Sequence, residues 1–516
     1  MTSSLVIVYH REPYEEYAVD GQRFLKENAS PNGIIPALKG VISRVNSASW
    51  IAWKELSDES AHLFTRNVHI DDSYGSYNVV RLPLSRAQIE QFYFITSKEA
   101  LWPVINSFPS YYSTQYTDWS VFREVNRHFA NAICEEAEEG GLVWIHDYNL
   151  WLVPGFVRAL RPDLSIAFFH HTAFPSADIF SILPWRDEIL SSLLQCDLIG
   201  FHVPRYAHNF ARTAQSLCAI DQVNTLPVAS SCRSIGGALS ETSVPSEIIY
   251  QQRSVLIDSC PIGPHTRMII DFVQTDESAA RVEEIRKIHH EEIIIVSVSR
   301  IDYSKGIVEM LMTFERLLQR RPELCGRIKL LLTAVSAANG MRIYRQSEQT
   351  IEQTVGHING LYGTLEWVPV VLSTTAMPFE ETMCHYRAAD ICWVTPLRDG
   401  LNLVAKEFVS SHVNAGGVLV LSEFAGAAIE LSDAILVNPY SRNQMDDAID
   451  RAIDMPYEEQ KQRMAKLGKR VLRNNISNWT DHMLDLFRKI SAQHESNGLT
   501  KLARRTSFWK SERRWK

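Results

Sequence analysis

At 516 residues the chain is too long for one hydrophobic core, since cores stop growing at roughly 250–300 residues. An apolar share of 45% beside 22% charged residues is ordinary for a soluble globular chain. The net charge of −8 argues against a general nucleic-acid binder.

The first apolar run, Leu5 to Tyr9, precedes His10 and Arg11. It is too short for a signal-peptide core or a membrane span and reads as a first strand. Further apolar runs at 142–145, 164–169, 197–201, 293–298, 328–333, 368–372, 390–394, 417–421 and 434–437 alternate with helical patterns, which predicts parallel α/β layers. No run of 18 apolar residues occurs, so no membrane partner is expected. Eight cysteines are scattered without a C-x-x-C pair, several inside apolar runs. That pattern predicts reduced thiols in a cytoplasmic protein, with no disulfide framework and no metal site.

The polar residues at the strand ends carry the functional signal. Strand 142–145 runs into His146-Asp147-Tyr148-Asn149, strand 164–169 into His170-His171, and strand 197–201 into His202. Strand 293–298 is followed by Arg300, Asp302 and Lys305, and strand 417–421 by Ser422-Glu423-Phe424-Ala425-Gly426. Ligands of open α/β sheets bind beyond the carboxyl ends of strands, so these clusters are expected to converge in one crevice.

The polar segment Gln222 to Glu247 shows no sustained period, and a boundary falls near Cys260-Pro261-Ile262-Gly263. We expect a first domain over 1–260 and a second over 261–475, of similar size and facing each other across a cleft. After Pro456 the pattern is amphipathic (Met464, Leu467, Val471, Leu472), followed by Trp479, Met483, Leu486 and Phe487. Residues 476–496 then form a crossover helix returning to the first domain. Residues 501–516 hold seven Lys or Arg against one Glu, so 497–516 reads as a disordered basic tail, the one weak invitation to nucleic acid.

The stretch ICWVTPLRDGLNLVAKEF (391–408) is the most informative. Its apolar start stops at the turn Thr395-Pro-Leu-Arg-Asp-Gly400, and helical spacing follows at Leu401, Val404, Ala405 and Phe408. A helix start binds anions through its unpaired amides and its dipole. Glu407 lies one turn past Leu403 on the same face and can take a pair of hydroxyls. The arrangement suits a sugar nucleotide, with pyrophosphate on the amides and ribose on the acid. Arg300 and Lys305 precede another helix, with apolar spacing at Ile307, Met310, Leu311, Phe314 and Leu317, and can clamp a pyrophosphate without a metal. Read alone, these two are equally consistent with solvated loop charges.

VSRIDYSKG (298–306), VTPLRDGLNLVAKE (394–407), LSEFAGAA (421–428), VWIHDYNLWLVP (143–154) and ILPWRDEIL (182–190) resemble, in collinear order, the trehalose-6-phosphate synthase superfamily of retaining glycosyltransferases. Within it, VYHREPYEE (8–16), YFITSKEALWPV (93–104) and FFHHTAFP (168–175) most resemble glucosylglycerol-phosphate synthases. The resemblance implies an α/β GT-B fold of two Rossmann-like domains. It also implies transfer of glucose from ADP-glucose to sn-glycerol 3-phosphate, without a cofactor, in compatible-solute synthesis and salt tolerance. A downstream phosphatase is an implied partner.

By the same resemblance Gly33, Arg300, Lys305, Asn402, Leu403, Val404 and Glu407 hold the donor. His171 and Asp399 lie at the donor sugar, and Asp147 is the acid on the acceptor side. Arg11, Tyr93 and Trp102 line the acceptor pocket with Asp147. Without it, Asp147 also reads as a cap for a helix starting near Leu150, and His171 as a structural strand-end histidine. No pair of carboxylates announces a nucleophile and an acid. The second phosphate-binding arginine of trehalose-phosphate synthases is expected at Ala338, counting back from His357-Ile-Asn-Gly360, which argues against glucose 6-phosphate. Arg342 and Arg345 are candidate substitutes. A trehalose-phosphate synthase with a rearranged acceptor site and a sugar-nucleotide sensor without turnover stay open as alternatives.

Overall fold

A computed structural model of the protein describes residues 2–19, 22–27, 33–56, 64–228, 237–289, 292–336 and 342–496. Two sheets organise it. The first has ten strands, in spatial order Ile220–Pro227, Ser243–Tyr250, Arg253–Ser259, Leu198–Phe201, Ser165–His170, Ala137–His146, Ser3–Val8, Ala48–Glu55, Gly75–Leu84 and Asn67–Asp72. Its centre is parallel, whereas antiparallel pairs close both edges. The second has six strands, all parallel, in the order Val370–Ser373, Ile328–Ser336, Ile293–Ile301, Ile391–Val394, Val418–Ser422 and Ile435–Val437.

Every strand expected from an apolar run is present, because parallel strands covered on both faces read as unbroken apolar stretches. The expectation of two layers of similar size is corrected to ten strands against six. The segment 222–247 is also corrected: its ends belong to the antiparallel strands Ile220–Pro227 and Ser243–Tyr250. These edge strands are half exposed and carry Gln222, Asn224 and Thr225 between apolar residues, which hides them from a search for apolar runs. The basic tail 497–516 lies outside the described residues.

The helix Ile476–Ser496 returns to the first sheet. Trp479 and Phe487 set their rings 5.6 and 4.9 Å from that of Trp144, in a core shared with Trp50. The two crossings of the chain are tied together. Thr266 Oγ1 donates to the Val471 carbonyl at 3.1 Å, and the Ile476 amide donates to Pro264 at 3.2 Å. Gly263 lies so close to Asn474 that a Cβ would stand 1.9 Å from its carbonyl oxygen. No side chain fits there. Among the described residues no helix is long and apolar enough to cross a membrane.

Candidate active site

The carboxyl ends of both sheets face a cleft of about 580 Å³. On the second-sheet side, buried Ile391–Val394 leads into the turn carrying Asp399, which bridges to Ala425 at the next strand end. The helix Leu403–Ser411 starts at Asn402, whose side-chain oxygen accepts from the Ala405 amide at 3.0 Å. That cap leaves the first-turn amides of Leu403 and Val404 without intrahelical acceptors where they line the cleft. Asn402 holds φ at 83°, a left-handed conformation that asparagine tolerates, and its Nδ2 donates to Asp399 Oδ2 at 3.1 Å. Glu407 lines the cleft one turn further along.

The turn after Ile293–Ile301 packs directly on this one. Leu397 donates its amide to Ser304 at 2.8 Å, and Gly306 has φ 66° with Thr395 O only 2.3 Å from where a Cβ would be. Glycine satisfies both demands. The contact delivers Lys305 Nζ to Asp399 Oδ2 at 2.8 Å. Burial works against the Asp399 charge, but Lys305, Asn402 and the Leu401 amide outweigh it and hold the carboxyl below its ordinary range. Arg300 is in the strand itself rather than in the turn, and exposes its side chain in the same cleft.

On the first-sheet side, Asp147 ends its strand with φ 71° and ψ 163°, a region that only glycine occupies at ease. Its amide donates to Phe169 O at 3.0 Å, which fixes the bend. The side chain caps no helix; Thr172 Oγ1 reaches it at 3.4 Å. Burial pushes its carboxyl up to about 6. Beside it, His171 Nε2 lies 3.1 Å from His146 Nδ1, and its Nδ1 is buried without a hydrogen-bond partner. Burial, reinforced by His202 and His170, keeps the His171 ring neutral. Its backbone meets the opposite wall, since a Cβ on Gly400 would stand 2.7 Å from His171 O.

The remaining wall comes from Arg11, from Gly33 at the head of the helix Ile34–Ile42, and from residues 90–105. Gly33 has φ 115°, open to glycine alone. Arg11 donates to the Tyr93 hydroxyl at 3.0 Å. Glu90–Leu101 is a π-helix, continued by the α-helical turn Trp102–Ile105. In an α-helix Tyr93 and Trp102, nine residues apart, would point to opposite sides, because nine residues make two and a half turns at 3.6 per turn. The wider π turn, with about 4.4 residues, makes nine residues close to two full turns and puts both in the cleft. A helical π segment of this length is rare and recurs at functional sites.

Every residue given to the donor, the acceptor or the donor sugar by resemblance thus lines one cleft, whereas the strand-end residues His146, His170, Asp302 and Ser422 to Gly426, also expected there, do not. Ala338 lies outside the described residues, as does the Arg342 side chain; Arg345 is exposed and does not line the cleft. Sequence reasoning passed over Lys98, which sits between Tyr93 and Trp102, and Tyr206, whose hydroxyl donates to Asp399 O at 3.1 Å. Lys98 could have been found as the one cation within the quoted aromatic stretch. Among the described residues no group of His, Cys, Asp and Glu could hold a metal ion.

The profile of glycosyltransferase family 20 matches residues 3–489. A glucosylglycerol-phosphate synthase of Synechocystis sp. is 46% identical over 484 residues, covering 94% of this chain and 97% of the relative. One from Picosynechococcus sp. is 45% identical with the same coverage. A solved structure of trehalose-6-phosphate synthase from E. coli bound with UDP-2-fluoro glucose superimposes with a TM-score of 0.79 at 26% identity, covering 94% of this chain and 98% of that one. The fold is GT-B.

Proposed function

The chain belongs to glycosyltransferase family 20, and on that premise we propose that it moves glucose from ADP-glucose to sn-glycerol 3-phosphate with retention of configuration. The product would be 2-O-(α-D-glucopyranosyl)-sn-glycerol 3-phosphate. The observation that carries this reading is the cleft's two unlike walls in a chain 46% identical to a glucosylglycerol-phosphate synthase. One wall offers Arg300, Lys305, two helix-start amides and Glu407, and the other offers Arg11, Tyr93, Trp102 and Asp147.

In the proposed step the bond between C1 of glucose and the diphosphate oxygen breaks as C1 bonds to the acceptor hydroxyl oxygen on the same face. The acceptor's proton passes to the departing phosphate. Negative charge grows on that phosphate, where Arg300, Lys305 and the amides of Leu403 and Val404 are already fixed, so stabilisation requires little reorganisation. The His171 carbonyl, oriented by contact with Gly400, supports positive charge at C1. Asp399 accepts from sugar hydroxyls, and Asp147 orients the acceptor hydroxyl. Gly33 gives the donor room near the seam, and Glu407 takes the ribose.

In this reading residues 1–260 hold the acceptor and residues 261–475 the nucleotide sugar. The enzyme works in the cytoplasm, in accord with the free thiols of the described cysteines. Its product is a phosphomonoester, so release of an uncharged compatible solute needs a phosphatase. The adenine of the donor is taken from the resemblance to glucosylglycerol-phosphate synthases. The structural likeness to trehalose-phosphate synthases, one of them solved in complex with glucose 6-phosphate, keeps that compound as the competing acceptor. The test is product analysis after incubation with ADP-glucose or UDP-glucose and either phosphate. Glucosylglycerol phosphate from ADP-glucose is expected. Product from glucose 6-phosphate alone would replace this reading by trehalose-phosphate synthesis, and tight nucleotide-sugar binding without turnover would favour a sensor.

A further inference from the structure

The π-helix places a third side chain beside Tyr93 and Trp102. Lys98 is five residues after Tyr93, one π turn, so its ammonium enters the same part of the cleft. Nζ stands 4.3 Å from the Trp102 ring centroid and 5.7 Å from that of Tyr93. The residue is only 8% exposed. It forms no ion pair with any carboxylate of the described residues, although a buried cation is normally paired. Lys305, by contrast, is committed to Asp399.

Its surroundings make the omission sharper. Arg11 and Arg300 line the same cleft, and neither forms an ion pair with a described carboxylate. Asp302, the acid that partly offsets the Lys98 charge, is already taken by the Ser304 amide at 2.9 Å and the Tyr344 hydroxyl at 3.2 Å. Burial pushes the Lys98 ammonium below its ordinary range; Tyr93 opposes this, and Arg300 and Arg11 add to it. Tyr93 shows the converse: burial works against its phenolate, yet Lys98, Arg11 and Arg300 together hold the phenol below its ordinary range. Cations gathered in one part of a cleft, Lys98 buried and Arg11 and Arg300 exposed, with no carboxylate ion-paired to any of them, form a site for an arriving anion.

We propose that Lys98 binds the acceptor's phosphate, sharing it with Arg11 while the Tyr93 and Trp102 rings wall the recess. Arg300 is left to the donor diphosphate. Lys98 and Asp147 line the same cleft, so a short acceptor can rest its phosphate on Lys98 and present a hydroxyl near Asp147. This assignment rests on the reading that the acceptor is a phosphomonoester.

The test uses the full-length protein and the variants Lys98→Gln, Lys98→Met and Lys98→Arg. Acceptor KM, donor KM and inhibition by inorganic phosphate are measured for each. Loss of a charge-assisted bond to phosphate should raise the acceptor KM of the Gln and Met variants by roughly 10- to 100-fold. Donor KM should stay within about twofold, inhibition by inorganic phosphate should weaken in parallel, and Lys98→Arg should restore most of the affinity. An unchanged acceptor KM, or equal rises in both KM values, overturns the proposal. So does failure of both uncharged variants to fold, which would make the ammonium structural. If the unaltered protein prefers glucose 6-phosphate, the acceptor reading fails while the effect of Lys98→Gln on that acceptor still decides the subsite. If it accepts only unphosphorylated glycerol, both fall.

Discussion

Gly400, in the turn after Ile391–Val394, lies against the backbone of His171, at the end of a strand of the other sheet. A Cβ there would sit 2.7 Å from the His171 carbonyl oxygen and 2.9 Å from the Thr172 carbonyl carbon. Backbone cannot swing aside as a flexible side chain can. The Asp399 turn and His171 therefore share one seam, through which the reacting atoms are aligned in the proposed reaction. Gly400→Ala should force the walls apart by a fraction of an ångström and lower kcat/KM about 10²-fold, as misplacements of that order do. The melting temperature should fall by only a few degrees, since strain of about 1–3 kcal/mol is spread over a large chain. Activity within twofold of the unaltered protein would show that the seam does not set the geometry.

Lys305→Ala should cost about 10²-fold or more in kcat, because it removes a fixed cation facing developing charge. Lys461, on an outer helix, pairs with Glu458 at 3.5 Å and lies over the Tyr457 ring, and it serves as the control. Its replacement by Ala should leave turnover unchanged. Equal small effects at both positions would mean that the phosphate site lies elsewhere.

Asp147 links pH to stability. Its carboxyl is at about 6 in the fold against 3.8 in an exposed chain, so the folded state holds the proton more tightly. Above pH about 6 the fold carries a buried charge, at a cost of up to about 3 kcal/mol. That penalty fades as pH falls from 6 to below 3.8, where the carboxyl becomes protonated in both states. Asp147→Asn should therefore raise the melting temperature at pH 8, with the gain shrinking to nothing once the pH is well below 3.8. Activity should fall at every pH, and the acid limb near 6 in kcat/KM should disappear. No stabilisation at pH 8 would contradict the buried-charge account.

The helix Leu403–Ser411 is anchored through Lys406, which pairs with Glu430 and donates to the Ile262 carbonyl at 2.8 Å. Both side chains are at most 2% exposed. Lys406→Met strands the Glu430 carboxylate and should cost about 3–5 kcal/mol, read as a lower melting temperature and denaturation midpoint. Adding Glu430→Gln should recover part of the loss. If the single variant is as stable as the unaltered protein, the pair does not anchor the helix.

Much of this was legible in the sequence for one physical reason. Parallel strands buried on both faces are unbroken apolar runs, so their ends, and the polar residues placed there, can be counted off. The edge strands Ile220–Pro227 and Asn67–Asp72 alternate polar and apolar residues at the surface and leave a weaker trace. The wall proposed for the acceptor was legible only by resemblance. Tyr93 and Trp102 are out of phase for an α-helix, and nothing in their spacing announces the π-helix that joins them, or Lys98 between them. The glycine-like backbone of Asp147 and the approach of Gly400 to His171 are tertiary facts, set by residues distant in the chain.

On the proposed reading the two sheets close on a nucleoside diphosphate glucose at a single cleft. A crystal structure of the protein soaked with ADP-glucose tests it most directly. Diphosphate oxygens are expected within hydrogen-bond reach of Arg300, Lys305 and the amides of Leu403 and Val404, with the ribose hydroxyls on Glu407. A nucleotide bound outside the cleft, or a diphosphate touching none of these groups, would contradict it.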